Sequence, residues 1–343
     1  MIGLKETSLA SSKSKNRILT LFGSGETSPH MAKNYRHIID GLDYDLRTNI
    51  LLDTPFGFQE NNTILSKKIQ DYFSSKINLE LKNLKFINEE SYGNEHAKLL
   101  SEADFIFSGP GSPTYASKIW IKHNLGGVLK DKLNSGVVMA FASAAALTLG
   151  RYVIPVYEIY KVGNMEGLQD GLNVLDFLGK DTVIVPHFNN QEGGDHDTSY
   201  CFIGKKRFNE LINGLDIIVI GIDEHTSLTF DLDKSIMSVR GLGNVYFISS
   251  KGELCMKNGD EMKIKDINSN YVARKEEIKI EPLIENDTNN DIVNINIEKL
   301  IEIRTIARNS KMYEISDNIR DLLVTHGIEI EDKDGITIWK KSN

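Results

Sequence analysis

Apolar residues in the first two-thirds of the chain come as short, nearly continuous runs. Ile18-Leu19-Thr20-Leu21-Phe22 is followed by Gly23-Ser24-Gly25, and Asn49-Ile50-Leu51-Leu52 by Asp53-Thr54-Pro55. Phe105-Ile106-Phe107 enters Ser108-Gly109-Pro110-Gly111, and Val137-Val138-Met139-Ala140-Phe141 enters Ala142-Ser143. Thr182-Val183-Ile184-Val185 ends at Pro186-His187, and Ile217-Ile218-Val219-Ile220 at Gly221. Unbroken apolar runs of this length are what strands covered on both faces require. Between them, Asn61–Phe73 and Lys205–Ile212 have helical patterning. The alternation predicts an α/β fold, a mostly parallel sheet with helices on both faces. Past Glu224 the pattern changes, and Ser227–Phe230, Ile236–Arg240 and Val245–Ser249 predict an antiparallel meander at its edge.

From about Lys257 to Asn296 the chain turns polar and rich in Asn and Asp, and Glu285–Asp291 holds almost nothing that could build a core. Order returns at Ile297. Ile297, Leu300 and Ile301 fit one helical stripe, and Ile315, Ile319, Leu322 and Leu323 another. Gly327 is placed to end the second helix, and Ile328–Ile330 and Ile336–Trp339 flank Asp334-Gly335, a hairpin signal. The expected organisation is a disordered tail at 1–15, a large domain at 16–267, a linker at 268–296 and a small module at 297–343.

Composition narrows the function classes. The net charge of −8 over 343 residues argues against a broad nucleic-acid footprint. No run of 18 apolar residues marks a membrane span. The Ser- and Lys-rich first 15 residues lack the apolar segment of a signal peptide. The two cysteines, Cys201 and Cys255, give no disulfide framework and no Cys-x-x-Cys metal motif, so a reducing cytoplasm is expected.

Chemistry-bearing residues collect at strand ends, where active sites of open α/β sheets lie. Ser143 falls between a β run and Ala144-Ala145-Ala146-Leu147, a helix start. Such a turn exposes the hydroxyl and aims the following N–H groups at a developing oxyanion. A buried Ala-rich helix holding a satisfied Ser is the competing reading. His187 follows a strand, and a Ser nucleophile needs a neutral base of this kind. Glu224, with Asp223 as a rival, offers the carboxylate that orients an imidazole. The loop Asn189–Asp197 contains Glu192 and His196, and with His187 it forms a minor candidate for a metal cluster or a substrate loop. Tyr157 and Lys161, after Ile154-Pro155-Val156, are candidates to line a pocket for an acidic substrate.

These segments resemble the cyanophycinase and dipeptidase E serine peptidases over about residues 17–267. Ala142-Ser-Ala-Ala-Ala146 is similar to their Gly-Thr-Ser-Ala-Gly-Ala, and Pro186-His187-Phe188 to their Asp-x-His-Phe. Lys206-Arg207-Phe208 suits the basic run that follows. Gly221-Ile-Asp-Glu-His-Thr-Ser-Leu228 is similar to their Gly-Ile-Asp-Glu-x-Thr-Ala-Leu. Phe107-Ser-Gly-Pro-Gly-Ser112 stands at their oxyanion loop, and Gly23-Ser-Gly-Glu26 at their Gly-Gly-Gly-Glu. The resemblance implies a class I glutamine-amidotransferase-like fold and a Ser143–His187–Glu224 triad cleaving peptide bonds near aspartyl groups. Gly111 and Ala144 then supply the oxyanion amides, and Gly109, Tyr157, Lys161, Asn189, Glu192 and Arg207 are substrate-binding candidates. Phe141 and Ala145 stand where the family has glycines that relieve crowding. Pro110 replaces a glycine and has no N–H to give.

Residues 297–341 resemble the C-terminal end of cysteinyl-tRNA synthetases, through Ile301-Glu-Ile-Arg-Thr-Ile-Ala-Arg308, Ile315-Ser-Asp-Asn-Ile-Arg-Asp321 and Gly335-Ile-Thr-Ile-Trp-Lys340. The catalytic and zinc-binding motifs of that family are missing from the sequence. Arg304, Arg308, Arg320 and Trp339 are the candidates for RNA contact. The expected activity is hydrolysis of a small peptide or amide, without cofactor or metal. The alternative is a degenerate hydrolase scaffold that binds tRNA or a protein partner through 297–343. A homodimer is a further candidate assembly.

Overall fold

The computed structural model describes residues 16–268 and 271, and toward the C-terminus 297, 300, 301, 303–305, 307, 308, 313–333 and 336–341. The expected tail at 1–15, most of the expected linker and the Asp334-Gly335 turn lie outside the described residues. The chain divides into two compact units, Met1–Lys275 and Glu276–Asn343.

Among the described residues the first unit has the strands β1 (Ile18–Phe22), β2 (Asn49–Leu52), β3 (Lys82–Asn83), β4 (Phe105–Ser108), β5 (Val138–Ala142), β6 (Tyr152–Val153), β7 (Gln169–Asp170), β8 (Thr182–Val185), β9 (Ile218–Ile222), β10 (Thr226–Asp231), β11 (Ile236–Gly241), β12 (Val245–Ser249), β13 (Gly252–Met256) and β14 (Glu261–Lys263). Its helices are α1 (Ala32–Asp40), α2 (Asn62–Tyr72), α3 (Asn94–Ser101), α4 (Pro113–Lys122), α5 (Leu125–Asn134), α6 (Ala144–Leu147) and α7 (Lys205–Ile212). The mixed α/β class and its helix-flanked sheets are as expected from the sequence.

The strands form two sheets rather than one. The larger runs β14-β11-β10-β1-β5-β4-β2-β3, parallel from β1 to β3 and antiparallel from β1 outward through β10, β11 and β14. The smaller runs β13-β12-β9-β8-β6-β7, with β6, β8 and β9 parallel. The expected edge meander is divided accordingly, with β10 and β11 in one sheet and β12 in the other. Burial periodicity says which faces are covered but not which sheet a strand joins.

Side chains alternate between separate cores, as the pleat requires. On β5, Met139 and Phe141 enter a core shared with Ile184 of β8, with Ile218 and Ile220 of β9, and with α4 and α5 through Trp120, Leu125 and Leu129. Val138, Ala140 and Ala142 face the opposite core under α1 and α2, with Phe22, Tyr35, Phe73 and Phe107. The outer face of the smaller sheet packs Val183, Val185 and Val219 against Phe208 of α7. A central strand thus has no solvent face, which explains the continuous apolar runs.

Among its described residues the second unit is helical at 297, 300, 301, 303–305, 307 and 308, followed by α8 (Tyr313–Thr325), β15 (Ile328–Lys333) and β16 (Ile336–Lys341). Gly327, at φ 72°, ends α8 with its N–H on Val324 O. Ile297, Leu323 and Ile328 form the core, joined by Leu300, Ile301, Ile319, Ile330 and Trp339. Leu322, expected in the stripe, lies outside it on the exposed face. Arg304, expected to face RNA, is buried instead. Its guanidinium makes a two-pronged bond to Asp332 at 2.9 and 2.7 Å, and Arg308 pairs with the same carboxylate. These bonds hold the Asp332 carboxyl well below the usual carboxylate range. Arg320 is exposed and Trp339 half-buried.

Candidate active site

Ser143 joins β5 to α6 with φ 49° and ψ −121°. A non-glycine residue held there costs of order 1–3 kcal/mol and persists only where its surroundings fix it. They do so here. Ser143 N–H bonds Phe22 O of β1, Leu147 N–H bonds Ser143 O, and Ala142, Ala144, Ala145 and Ala146 are all buried. Ala145 is fully buried, and it shares its core with Phe141, whose ring lies beside Trp120.

Ser143 Oγ lies 2.9 Å from His187 Nε2, and His187 Nδ1 lies 2.9 Å from Glu224 Oε1. With Nδ1–H donating to Glu224, Nε2 is left to accept the serine hydroxyl. These three residues come from different places. Ser143 ends β5 of the larger sheet, His187 follows β8 of the smaller, and Glu224 sits in the turn that carries the chain from β9 to β10. The tip of β1 joins them, because His187 N–H donates to Gly23 O at 3.1 Å and Gly23 N–H to Thr226 O at 2.9 Å.

The His187 bond, followed by that of Asn190, lowers the Glu224 carboxyl below its ordinary range. Asn190 Nδ2 donates to Glu224 Oε1 at 2.9 Å, and Asn190 is 1% exposed. Sequence reading passed over Asn190, because an amide in a polar loop carries no signal of what it faces. Asn189, expected to bind substrate, instead accepts the Glu224 N–H at 2.8 Å through Oδ1. Asp223 is not the orienting acid. Its Oδ2 accepts Asn244 N–H at 2.8 Å, and burial raises its pKa.

The loop expected to form the oxyanion hole is shaped by glycine. Gly111 has φ 143°, and a Cβ there would lie 2.0 Å from Pro55 O, so no other residue fits. Gly109 O accepts Ala145 N–H at 3.2 Å, which ties the loop to the elbow. Ala144 N–H, in the first turn of α6, has no partner within the helix by position. Pro110 is exposed.

Among the other candidates, Tyr157 is exposed and Lys161 Nζ lies over the Tyr160 ring at 4.4 Å. Glu192 is exposed and Arg207 half-buried on α7, and no described contact brings either to Ser143. Both ring nitrogens of His187 are engaged with Ser143 and Glu224, which leaves none for a metal. Among the described residues no group of three His, Cys, Asp or Glu is placed to hold one. Glu26 is a further residue of the site. It is buried beside Gly109; burial raises its pKa, while His187 and His225 pull it down.

No family profile matches the chain. A cysteine–tRNA ligase of Thermoplasma volcanium is 46% identical over 43 residues, which is 12% of this chain and 10% of that enzyme. Among solved structures, a peptidase from an acI-B1 Actinobacterium superposes with a TM-score of 0.58 at 22% identity, over 72% of this chain and 96% of that one. The large unit therefore shares the fold of that peptidase.

Proposed function

We propose that this protein is a serine hydrolase of peptide or amide bonds that acts on aspartyl-containing peptides. The line from Ser143 Oγ through His187 to Glu224, with both contacts at 2.9 Å, carries the reading. His187 Nε2 takes the hydroxyl proton as Ser143 Oγ bonds to the substrate carbonyl carbon. Glu224 stabilises the imidazolium, and Ala144 and Gly111 N–H hold the oxyanion. The C–N bond then breaks as His187 gives its proton to the leaving nitrogen. Water, deprotonated by His187, releases the acyl group and restores Ser143. The unpaired Cys201 and Cys255 fit a reducing cytoplasm. Aspartyl dipeptides and amides offered to the purified protein are expected to be cleaved, and Ser143→Ala to lose at least about a thousandfold in kcat/KM. Unaltered turnover by that variant rejects the reading.

A second reading, favoured by the 43-residue likeness to the ligase, is that residues 297–343 contact tRNA or a protein partner. Arg320 is exposed for it, whereas Arg304 is taken up internally. Titration with tRNA across several salt concentrations tests it: weakening with salt supports RNA contact, and absence of binding at low salt rejects it.

A further inference from the structure

Three aromatic rings extend outward from the proposed base. The Phe202 ring lies 5.0 Å from His187 between centroids, Tyr160 lies 5.7 Å from Phe202, and His196 lies 6.3 Å from Tyr160, nearly parallel at 17°. The wall is built rigidly onto the base. Tyr200, Cys201 and Phe202 are consecutive non-glycine residues with φ of 54°, 58° and 70°, a left-handed turn that L-residues resist. This turn is pinned to the backbone of the base by Cys201 N–H on His187 O and Tyr200 N–H on Phe188 O. On the other side, Glu158 Oε1 accepts the Thr114 hydroxyl at 2.8 Å, which fixes the Tyr160 segment to the start of α4. The turn buries Cys201 and packs Tyr200 in the core under α7, and it also sets the half-buried Phe202 ring against the base. Strain concentrated next to a proposed active site points to a role there.

We infer that this wall is the subsite for the leaving-group residue of the substrate, and that the residue carries a large apolar or aromatic side chain. This inference rests on the hydrolase reading, because it takes its direction from His187. The group that gives its proton to the leaving nitrogen must lie on the leaving-group side, so a side chain leaving with that nitrogen meets Phe202 and Tyr160 first. The oxyanion amides of Gly111 and Ala144 belong to the acyl side. Past Tyr160 the chain keeps Val162 at 76% and Met165 at 44% exposure, so the apolar character continues outward from the wall. Asp195 and Asp197 flank His196 at the outer end of the wall, which disfavours an acidic leaving residue there.

The test is a panel of dipeptides with every amino acid at the acyl position and Phe, Leu, Gly or Asp as the leaving residue, with products read by mass spectrometry. Wild type is expected to prefer Phe and Leu over Gly and Asp by tenfold or more in kcat/KM for whichever acyl residue is cleaved. Phe202→Leu and Tyr160→Ala are expected to shrink that ratio, mainly through KM. The ratio is internal to each protein, so a general loss of folded enzyme does not imitate the effect. Cleavage with Gly or Asp leaving as readily as Phe overturns the subsite and leaves the hydrolase reading standing. Cleavage of no peptide in the panel overturns both.

Discussion

The amide of His187 donates to the carbonyl of Gly23 at 3.1 Å, so the tip of a strand in one sheet sets the position of an imidazole carried by the other. The proposed base is placed by this backbone contact as much as by its own loop.

Gly23 allows this because it has no side chain. A Cβ there would lie 2.1 Å from Asp223 O and 2.6 Å from Ile222 O, both backbone atoms. Gly23→Ala must therefore move the Glu224 turn. We expect a destabilisation of about 2–3 kcal/mol by thermal or denaturant unfolding. A displaced base and acid should also cost roughly a hundredfold in kcat/KM.

Asn190 should act through Glu224. Asn190→Ala removes a hydrogen bond to a charged carboxylate, a contact worth about 1.5–3 kcal/mol. We expect kcat to fall about tenfold or more with KM nearly unchanged, measured on whichever peptide the wild type cleaves.

Glu224 and Glu26 should give stability opposite pH dependences. The folded pKa of Glu224 is lowered, so its contribution is complete above the ordinary value of 4.5 and is lost as the pH falls through the lower folded value. The folded pKa of Glu26 is raised, so the native state loses stability as the pH climbs from 4.5 toward that higher value. Glu26→Gln should remove this loss. The expected outcome is a Tm above wild type at pH 7, with the difference shrinking at pH 4. A difference that does not depend on pH contradicts the assignment.

In the second unit, Asp332→Ala strips the buried Arg304 of its two-pronged partner. The side chain of Arg304 is 4% exposed but that of Asp332 is 40% exposed, so solvent softens the loss. We expect the unit to lose about 2 kcal/mol. Trp339 packs in the same core, and a red shift of its fluorescence would report the opening.

Much of this fold was legible because burial on both faces leaves an unmistakable run of apolar residues. β1, β5, β8 and β9 lie within two residues of where those runs stood, and Ser143 lies at the turn its small neighbours announced. The division into two sheets was not legible. Asp223–His225 reads as an ordinary turn, and nothing local says that the strands on either side of it belong to different sheets. Asn189 and Asn190 are adjacent, yet one holds the backbone of Glu224 and the other its carboxylate. Which does which is decided by a residue more than thirty positions away. Arg304 looked free for RNA because its partner Asp332 is 28 residues distant, in a strand whose acidic residues read as surface.

The central claim concerns the reactivity of Ser143, and covalent labelling tests it most directly. The protein would be treated with a small alkyl fluorophosphonate, and the modified peptide located by mass spectrometry. One adduct is expected, on Ser143, and its formation should slow at least about a hundredfold in His187→Ala, where no base takes the hydroxyl proton. An unlabelled Ser143 in folded protein, or labelling at an undiminished rate without His187, would contradict the proposed triad.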